Sequence, residues 1–224
     1  MRLAVMFFAA AIVTLGVNTS RGDVLLGVQA GAGFLRLDDL EEFWDEVGLH
    51  HNTDNLAFQW EVSATWRMAP RHALRLSVER ITTTVVVYDA YTLPPLGMFS
   101  LYSDQNLASI PISIGYEFAM RRSEQGALTL VGFGVGYYMS EFEGDEVFVS
   151  DDPSLTGSHH DSREGNGYGF DGYLRQTAPL SERLSMSGMV RGRWADAMAF
   201  DDSDATVPFK FTDFDFAVGL EWKI

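Results

Sequence analysis

The sequence predicts an all-β protein, an eight-stranded antiparallel up-and-down β-barrel, and three observations indicate this fold class. Apolar and polar residues alternate along eight separate segments of the 224-residue chain, which is the period of β-strands with two different surroundings. The connections between these segments alternate between long and short, as expected for a series of hairpins. The chain length also fits one domain, because all-β barrels of this size are routinely single units.

The N-terminal segment does not follow this alternation. Arg2 supplies a positive charge, an apolar run follows at 3–16, and small or polar residues come next. This order is typical of a secretory signal peptide, and the apolar run is shorter than the roughly 20 residues of a helical span. We therefore predict a cleaved signal peptide at 1–22 and one β-barrel domain at 23–224, with an uncleaved anchor as the alternative.

The first three predicted strands cover 24–34, 55–68 and 74–87. A long acidic connection at 37–54 separates the first two, and the second strand shows the most regular alternation. In the third strand, the apolar positions shift near Arg80 from the even to the odd residues. One extra residue at a β-bulge would produce such a shift, so we predict a bulge there.

The next three predicted strands cover 108–118, 131–140 and 167–177. Pro111 lies within the first of them and cannot donate a backbone hydrogen bond. We therefore expect it at a bulge or near the end of that strand. The polar face of the second is mostly glycine, which suits a narrow interior.

The last two predicted strands cover 184–194 and 211–224. We predict that the final strand pairs with the first, at 24–34, and so closes the barrel. The charged residues of its polar face are Asp213, Asp215, Glu221 and Lys223. The residues of its apolar face are Phe214, Phe216, Val218, Leu220, Trp222 and Ile224.

The apolar faces of the strands are predicted to meet lipid. A soluble eight-stranded barrel, such as a lipocalin, would turn them inward, where the Trp and Phe of every strand would have to fit a narrow interior. The four long connections contain 21 of the 31 acidic residues and only two of the 16 basic ones. Long loops at one end and short turns at the other are typical of outer-membrane barrels. The sequence therefore predicts a transmembrane β-barrel with acidic extracellular loops at 37–54, 89–106, 141–166 and 196–210.

The chain resembles the small outer-membrane barrels of the OmpA, OmpX and OmpW type. The signal peptide, the eight alternating strands and segments such as IPISIGYEF at 110–118 and GFGVGYYM at 132–139 carry this resemblance. It implies location in the outer membrane of a Gram-negative-type cell, with membrane lipid and lipopolysaccharide as partners. It also implies that the barrel-assembly machinery reads the apolar face of the last strand. Such strands usually end in Phe or Trp, whereas this one ends in Ile224.

The charged residues of the polar faces are the candidate functional residues. A lone charge away from water is costly in free energy, so we expect these groups to pair and to plug the lumen. A narrow water-filled path lined by the same groups is the alternative. The predicted lumen charge network consists of Glu61, Arg67, Arg75, Glu79, Glu117, Asp171, Arg175, Arg191, Arg193, Asp213 and Asp215.

Several other kinds of chemistry find little support in the sequence. Without cysteine, the chain forms no disulfide, thiol nucleophile or thiolate metal site. A net charge of −15 argues against nucleic acid as a partner. The pairs at 50–51 and 159–160 are histidines near acidic residues, but they match no recognised metal-ligand spacing. No nucleophile lies beside a base in a legible pattern, so we expect no catalytic residue, metal or cofactor.

From the sequence alone, we predict a monomeric integral outer-membrane β-barrel with a structural or surface-interaction role. Its lumen is expected to be closed by the internal charge network. A narrow porin-like channel for small solutes is the alternative, and a lipid A-modifying enzyme is a third hypothesis.

Overall fold

In the computed structural model, the described part of the chain is almost entirely β-structure. The predicted signal peptide at 1–22 lies outside the described residues, as does most of the connection at 37–54. Among the residues that the structure describes, no helix is long and apolar enough to cross a membrane. The described residues are 23–37, 42, 45, 51–53, 56–93, 97–200 and 206–224.

Eight long strands form a closed antiparallel ring, and a ninth, very short strand lies beside it. The last strand pairs with the first from Leu25↔Lys223 to Arg36↔Thr212, so the predicted closure is confirmed. Around the ring the order is β1, β3, β4, β5, β6, β7, β8, β9. The strands are β1 (Val24–Arg36), β2 (His51–Thr53), β3 (Leu56–Ala69), β4 (His72–Leu93), β5 (Gly97–Arg122), β6 (Leu128–Ser150), β7 (Gly157–Pro179), β8 (Leu184–Phe200) and β9 (Thr206–Lys223).

The register of the ring tilts every strand against the barrel axis. A path that steps between paired residues leaves β1 at Leu26 and returns to β1 at Arg36, ten residues farther along. Closure with such a stagger requires a strand tilt of about 35–45°. At eight strands the interior is only wide enough to be filled by side chains. The intermediate residues of the path are Ala64, Leu76, Ile114, Val135, Phe170, Trp194 and Thr212.

The outer wall of the ring is apolar over a broad band. Phe133 and Val218, for example, expose 64% and 69% of their surface, although both are hydrophobic. Soluble proteins rarely expose large continuous apolar patches, whereas a membrane-spanning barrel needs an apolar band facing lipid. The alternation therefore turns its apolar side outward, and the chain folds as a transmembrane β-barrel.

The two ends of the barrel differ, as predicted, but three of the four long connections are mostly strand and not loop. Short turns join β3 to β4, β5 to β6 and β7 to β8, and we name this the short-turn end. At the opposite, long-hairpin end, most of 89–106, 141–166 and 196–210 continues the strands, which corrects the loop prediction. Backbone pairing continues where neither strand face meets lipid, so the apolar alternation used to identify strands is lost there.

The bulge predicted near Arg80 is absent from β4. The pairing of β4 with β3 and with β5 has one register on both sides of this position. Ile81, Val85 and Val87 simply point inward, like Glu79, and form an apolar cluster inside the barrel. The apparent shift arises because the interior changes from polar to apolar along the strand, while the strand itself stays regular.

Pro111 lies in the middle of β5 and points inward, so the prediction of a bulge or a strand end at this residue is wrong. Pairing of β4 with β5 runs to Val78↔Ile112 and resumes in the same register at Ile81↔Ser109. The proline interrupts the ladder without shifting it. Register shifts in the described ladders occur instead at the short-turn end, between Arg67 and Ala69 and between Ala119 and Arg121.

Candidate functional site

The inward faces of six strands bring most of the predicted charged residues into the lumen. Ten of the eleven are buried, with exposures between 0% and 7%, while Arg67 at the short-turn end is half-buried. Strand alternation explains this placement, because residues two apart on one strand share a face. The buried ten are Glu61, Arg75, Glu79, Glu117, Asp171, Arg175, Arg191, Arg193, Asp213 and Asp215.

Arg191 on β8 occupies the centre of the first group of ion pairs. Its Nη1 and Nη2 donate to the two carboxylate oxygens of Glu79 at 2.5 and 2.7 Å. Its Nε donates to Asp215 Oδ2 at 2.9 Å, and its Nη1 also reaches Glu61 Oε2 at 3.1 Å. Gln59 Oε1 accepts a further hydrogen bond at 3.0 Å. One guanidinium group therefore links strands β3, β4, β8 and β9.

Arg193 extends this group toward the long-hairpin end. Its Nη2 donates to Glu79 Oε2 at 2.7 Å, so Glu79 receives hydrogen bonds from two arginines. Its Nη1 donates to Asp213 Oδ2 at 3.1 Å, and its Nη2 lies 3.5 Å from Asp215 Oδ2. Paired guanidinium and carboxylate groups of this kind are among the strongest hydrogen bonds in proteins.

A second group of ion pairs centres on Arg175 and Arg75, nearer the short-turn end. Arg175 donates to both oxygens of Glu117, through Nε at 3.0 Å and through Nη2, and it also pairs with Glu221. Arg75 pairs with Glu61 and lies 3.9 Å from both Glu117 and Glu221. Glu61 thus contacts Arg75 and Arg191 and joins the two groups into one network.

The described lumen contains more carboxyl groups than guanidinium groups. Seven buried acids face four buried arginines, namely Arg75, Arg175, Arg191 and Arg193. Asp213 Oδ1, Asp215 Oδ1 and Glu221 Oε2 are buried and accept no hydrogen bond from a described residue. Buried acceptors without a partner are costly, and so are neighbouring like charges. The network therefore depends more strongly on its arginines than on any single acid.

Neutral side chains also form hydrogen bonds inside the lumen, and the sequence analysis did not single them out. Tyr173 Oη donates to Glu117 Oε1 at 3.1 Å, and Gln29 Nε2 donates to Ser187 Oγ at 2.9 Å. Gln59 binds Arg191. All of them occupy inward positions of their strands. The two-residue strand period therefore predicts that they face the lumen, although only charged residues were proposed as candidates.

An apolar layer lies beyond the charged network, toward the long-hairpin end. Tyr138 and Phe211 are fully buried there and pack edge to face, with ring centroids 5.5 Å apart. Between Arg75, Asp171, Tyr173 and the neighbouring strands, a cavity of about 10 Å³ remains. That volume holds about one water molecule. The other buried residues of the layer are Leu35, Leu37, Ala57, Ile81, Val85, Val87, Leu107 and Ala195.

Several predicted residues lie outside this network. Arg67 takes part in no ion pair with a described residue, and Lys223 pairs at the barrel end with Asp23, at 2.8 Å. The apolar face of β9 points outward as predicted; its reading by the assembly machinery stays a prediction. The residues of that face are Phe214, Phe216, Val218, Leu220, Trp222 and Ile224, with exposures between 47% and 69%.

The histidines noted in the sequence lie at the long-hairpin end. His160 Nδ1 and Asp145 Oδ1 are 2.8 Å apart on the exposed hairpin of β6 and β7. His51 belongs to β2, and His50 lies outside the described residues. The part of the chain that the structure describes has no group of three or more His, Asp or Glu residues arranged to hold a metal ion.

Comparison with known proteins finds structural neighbours but no sequence relatives. No protein-family model and no curated protein sequence matches the chain. Neisserial surface protein A is 11% identical over 92% of this chain and 100% of that protein, with a TM-score of 0.45. A major outer membrane protein from Thermus thermophilus is 16% identical over 90% of this chain and 99% of that one, with a TM-score of 0.47.

A third neighbour is Ail, the attachment invasion locus protein of Yersinia pestis. In its complex with the heparin analogue sucrose octasulfate it is 9% identical, over 91% of this chain and 99% of that one, with a TM-score of 0.42. These neighbours are small outer-membrane β-barrel proteins, the class that the sequence resembles.

Proposed function

We propose that the protein is a closed outer-membrane β-barrel that anchors an acidic, strand-rich surface outside the cell. It acts through structure and surface contact, with the lumen sealed against solutes. The observation that carries this proposal is the position of Arg191, whose guanidinium group spans the lumen from β8 to Glu79 on β4. Three strands separate β4 from β8 in either direction around the ring, so this ion pair crosses the full width of the interior.

The apolar layer supports the same conclusion independently. Water and ions pass poorly through a tightly packed hydrophobic constriction, because nothing replaces their hydration. The layer that contains Tyr138 and Phe211 lies between the ion pairs and the long-hairpin end. A solute would therefore have to displace both a salt-bridged layer and an apolar layer.

The long-hairpin end supports the surface role. Outward-facing Tyr88, Tyr102 and Val147 form one row across β4, β5 and β6, with exposures of 55%, 50% and 39%. The acidic residues Glu143 and Asp145 precede Val147 on the same outward face of β6. Exposed aromatic residues with a charged surround are typical of protein interaction surfaces. The composition of this end favours partners that carry positive charge.

Single-channel recording in planar bilayers tests the closed lumen. We expect no stable open level from the wild-type barrel. A reproducible conductance should appear when Arg191→Ala/Arg193→Ala, which loses the groups that bridge the walls, is combined with Phe211→Ala, which opens the apolar layer. Glu124→Gln, in the exposed turn between β5 and β6, is the matched control and should stay closed. A wild-type conductance that Arg191→Ala abolishes would establish the narrow channel and overturn the proposal.

Epitope tagging of intact cells tests the orientation. A tag inserted in the hairpin tip at 151–156 should be accessible to antibody on whole cells. The same tag in the turn at 123–127 should become accessible only after the outer membrane is permeabilised. The reverse pattern would show that the long hairpins face the periplasm.

A further inference from the structure

The outer wall of β4 carries a charged residue at the edge of the apolar band. Its outward-facing residues are apolar at Leu74, Leu76 and Val78, and the next outward residue is Arg80. On the neighbouring strand, Trp60 pairs with Arg80 and is one of the exposed apolar residues of the wall. A cation on a lipid-facing wall is tolerated only near the membrane interface, where its charged head can reach polar groups. Arg80 therefore marks the level where lipid headgroups begin.

A groove opens beside Arg80 on this outer wall. Its volume is about 430 Å³, within the size range of small-molecule sites. The groove exists because Ala108, Thr82 and Thr84 have small side chains. The bulkier Phe58 on β3 forms one wall of it. The full lining consists of Leu56, Phe58, Arg80, Thr82, Thr83, Thr84, Asn106, Leu107, Ala108, Glu141 and Glu143.

The groove has a positive side and a negative side. Arg80 is half-buried and forms no ion pair with a described residue. Glu141 and Glu143 are exposed on the far side, on β6, and no described ion pair involves them either. Between them lie neutral hydrogen-bonding groups, among which Thr84 Oγ1 donates to Asn106 Oδ1 at 3.0 Å. Neither charge is therefore satisfied within the described part of the protein.

The register gives the spacing of the two charged sides. Thr82 pairs with Ala108, and Ala108 pairs with Glu141, so Glu141 lies two strand spacings, roughly 10 Å, from Thr82. Arg80 is one same-face position, roughly 7 Å, from Thr82 along β4. The Cα atoms of Arg80 and Glu141 are thus roughly 12 Å apart on a diagonal across the groove. A ligand with two opposite charges can span this gap between the side-chain ends.

We propose that this groove binds a zwitterionic headgroup, with its phosphate on Arg80 and its ammonium group on Glu141 and Glu143. A guanidinium group and a phosphate form strong charge-assisted hydrogen bonds, and carboxylates accept hydrogen bonds from an ammonium group. The apolar outward residues Leu74, Leu76 and Val78 lie on the lipid side of Arg80 on β4, where acyl chains would continue. The inference rests on the proposed membrane insertion, because the groove then lies at headgroup level.

Native mass spectrometry of the detergent-purified barrel tests whether the zwitterionic ligand is a membrane lipid. Phosphatidylethanolamine carries both charges, whereas phosphatidylglycerol carries only the phosphate. We expect the wild-type barrel to retain the first about tenfold more strongly than the second, as one extra charge-assisted contact implies. Soluble phosphoethanolamine, titrated against the fluorescence of Trp60 and the other tryptophans, tests the same chemistry without acyl chains. Binding of the soluble compound with equal strength would assign the site to a free metabolite rather than a lipid, and would overturn the headgroup proposal.

Matched variants separate the site from general charge effects. Glu141→Gln/Glu143→Gln should remove the preference, because these acids contact only the ammonium group. Arg80→Gln should weaken the retention of both lipids about tenfold, because both carry the phosphate. Arg121→Gln and Glu124→Gln, at the short-turn end, should change neither. Equal retention of both lipids by the wild type, or a preference that survives Glu141→Gln/Glu143→Gln, would overturn the proposal. Retention of both lipids that Arg80→Gln leaves unchanged would show that the phosphate does not bind at Arg80 and would also overturn it. A closed barrel without the preference refutes only this inference, while a conducting barrel that keeps the preference refutes only the closed lumen.

Discussion

Arg191 and Glu79 form a two-pronged ion pair across the lumen, with N–O distances of 2.5 and 2.7 Å, although their strands lie on opposite sides of the ring. Such a pair ties the two walls together directly. It also means that several acids depend on one guanidinium group, because Asp215 and Glu61 contact Arg191 as well. The stability of the barrel should therefore respond very differently to loss of the arginine and to loss of one acid.

Replacement of Arg191 by methionine should destabilise the barrel by about 3–5 kcal/mol, because it leaves buried carboxylates without their counter-charge. Glu79→Gln should cost clearly less, since other acids still surround Arg191 and Arg193. Urea unfolding in detergent micelles measures both free energies. The exposed Glu124→Gln is the control and should stay within about 0.5 kcal/mol of wild type. Equal losses for Arg191→Met and Glu79→Gln would contradict the dependence on the arginine.

Replacement of the lumen acid Asp171 by a neutral residue should not destabilise the barrel. This carboxylate is buried beside the small cavity, and no described residue forms an ion pair with it. Because the lumen already holds more acids than arginines, Asp171→Asn should leave the free energy of unfolding unchanged or raise it. Asp215→Asn should lower it, since Asp215 Oδ2 accepts a hydrogen bond from Arg191 Nε at 2.9 Å. The opposite order of the two variants in urea unfolding would refute this ranking.

The inward position of most charged side chains could be predicted from the sequence. Period two alone places Glu79 and Arg191 inside, whatever the strand's neighbours are. Their contact could not be predicted, because it depends on the ten-residue stagger of the ring, which only the pairing register reveals. The same limit applies to Gln59 and Tyr173, because the sequence predicts that they face inward but does not predict their hydrogen-bond partners.

The strand lengths could not be predicted for a different reason. Alternation marks a strand only where its two faces meet different surroundings, and that contrast ends where the barrel leaves the lipid. Val85 and Val87 show the consequence, since they point inward into an apolar layer and imitate a change of phase. When the inward face of one strand changes from charged to apolar, the sequence pattern alone cannot distinguish this change from a shift in which residues face lipid.

Protonation of Asp152 should loosen the tip of the hairpin between β6 and β7. Its side chain accepts hydrogen bonds from the hydroxyl and the backbone N–H of Ser154, at 2.7 and 2.9 Å, and these lower the pKa of Asp152. A lowered pKa means that the charged form stabilises the folded turn above the ordinary pKa and that this contribution is lost as the pH falls through the lowered value. Carboxyl NMR titration of Asp152 should show a higher pKa in Ser154→Ala. An unchanged value would exclude Ser154 as the cause.

Tyr173 reaches Glu117 only because Gly132 on the intervening strand has no side chain. A Cβ at position 132 would lie 2.2 Å from the Tyr173 ring, so Gly132→Ala must displace the ring and break its hydrogen bond to Glu117. We expect a loss of about 1–3 kcal/mol in urea unfolding, which is the usual range for overpacking. Gly172→Ala is the matched control on the adjacent strand, because nothing lies within 4 Å of its Cβ position. Tyr173→Phe removes the hydrogen bond but keeps the ring, so it separates the two contributions. If Gly132→Ala and Gly172→Ala behave alike, the ring does not pack against β6 in this way.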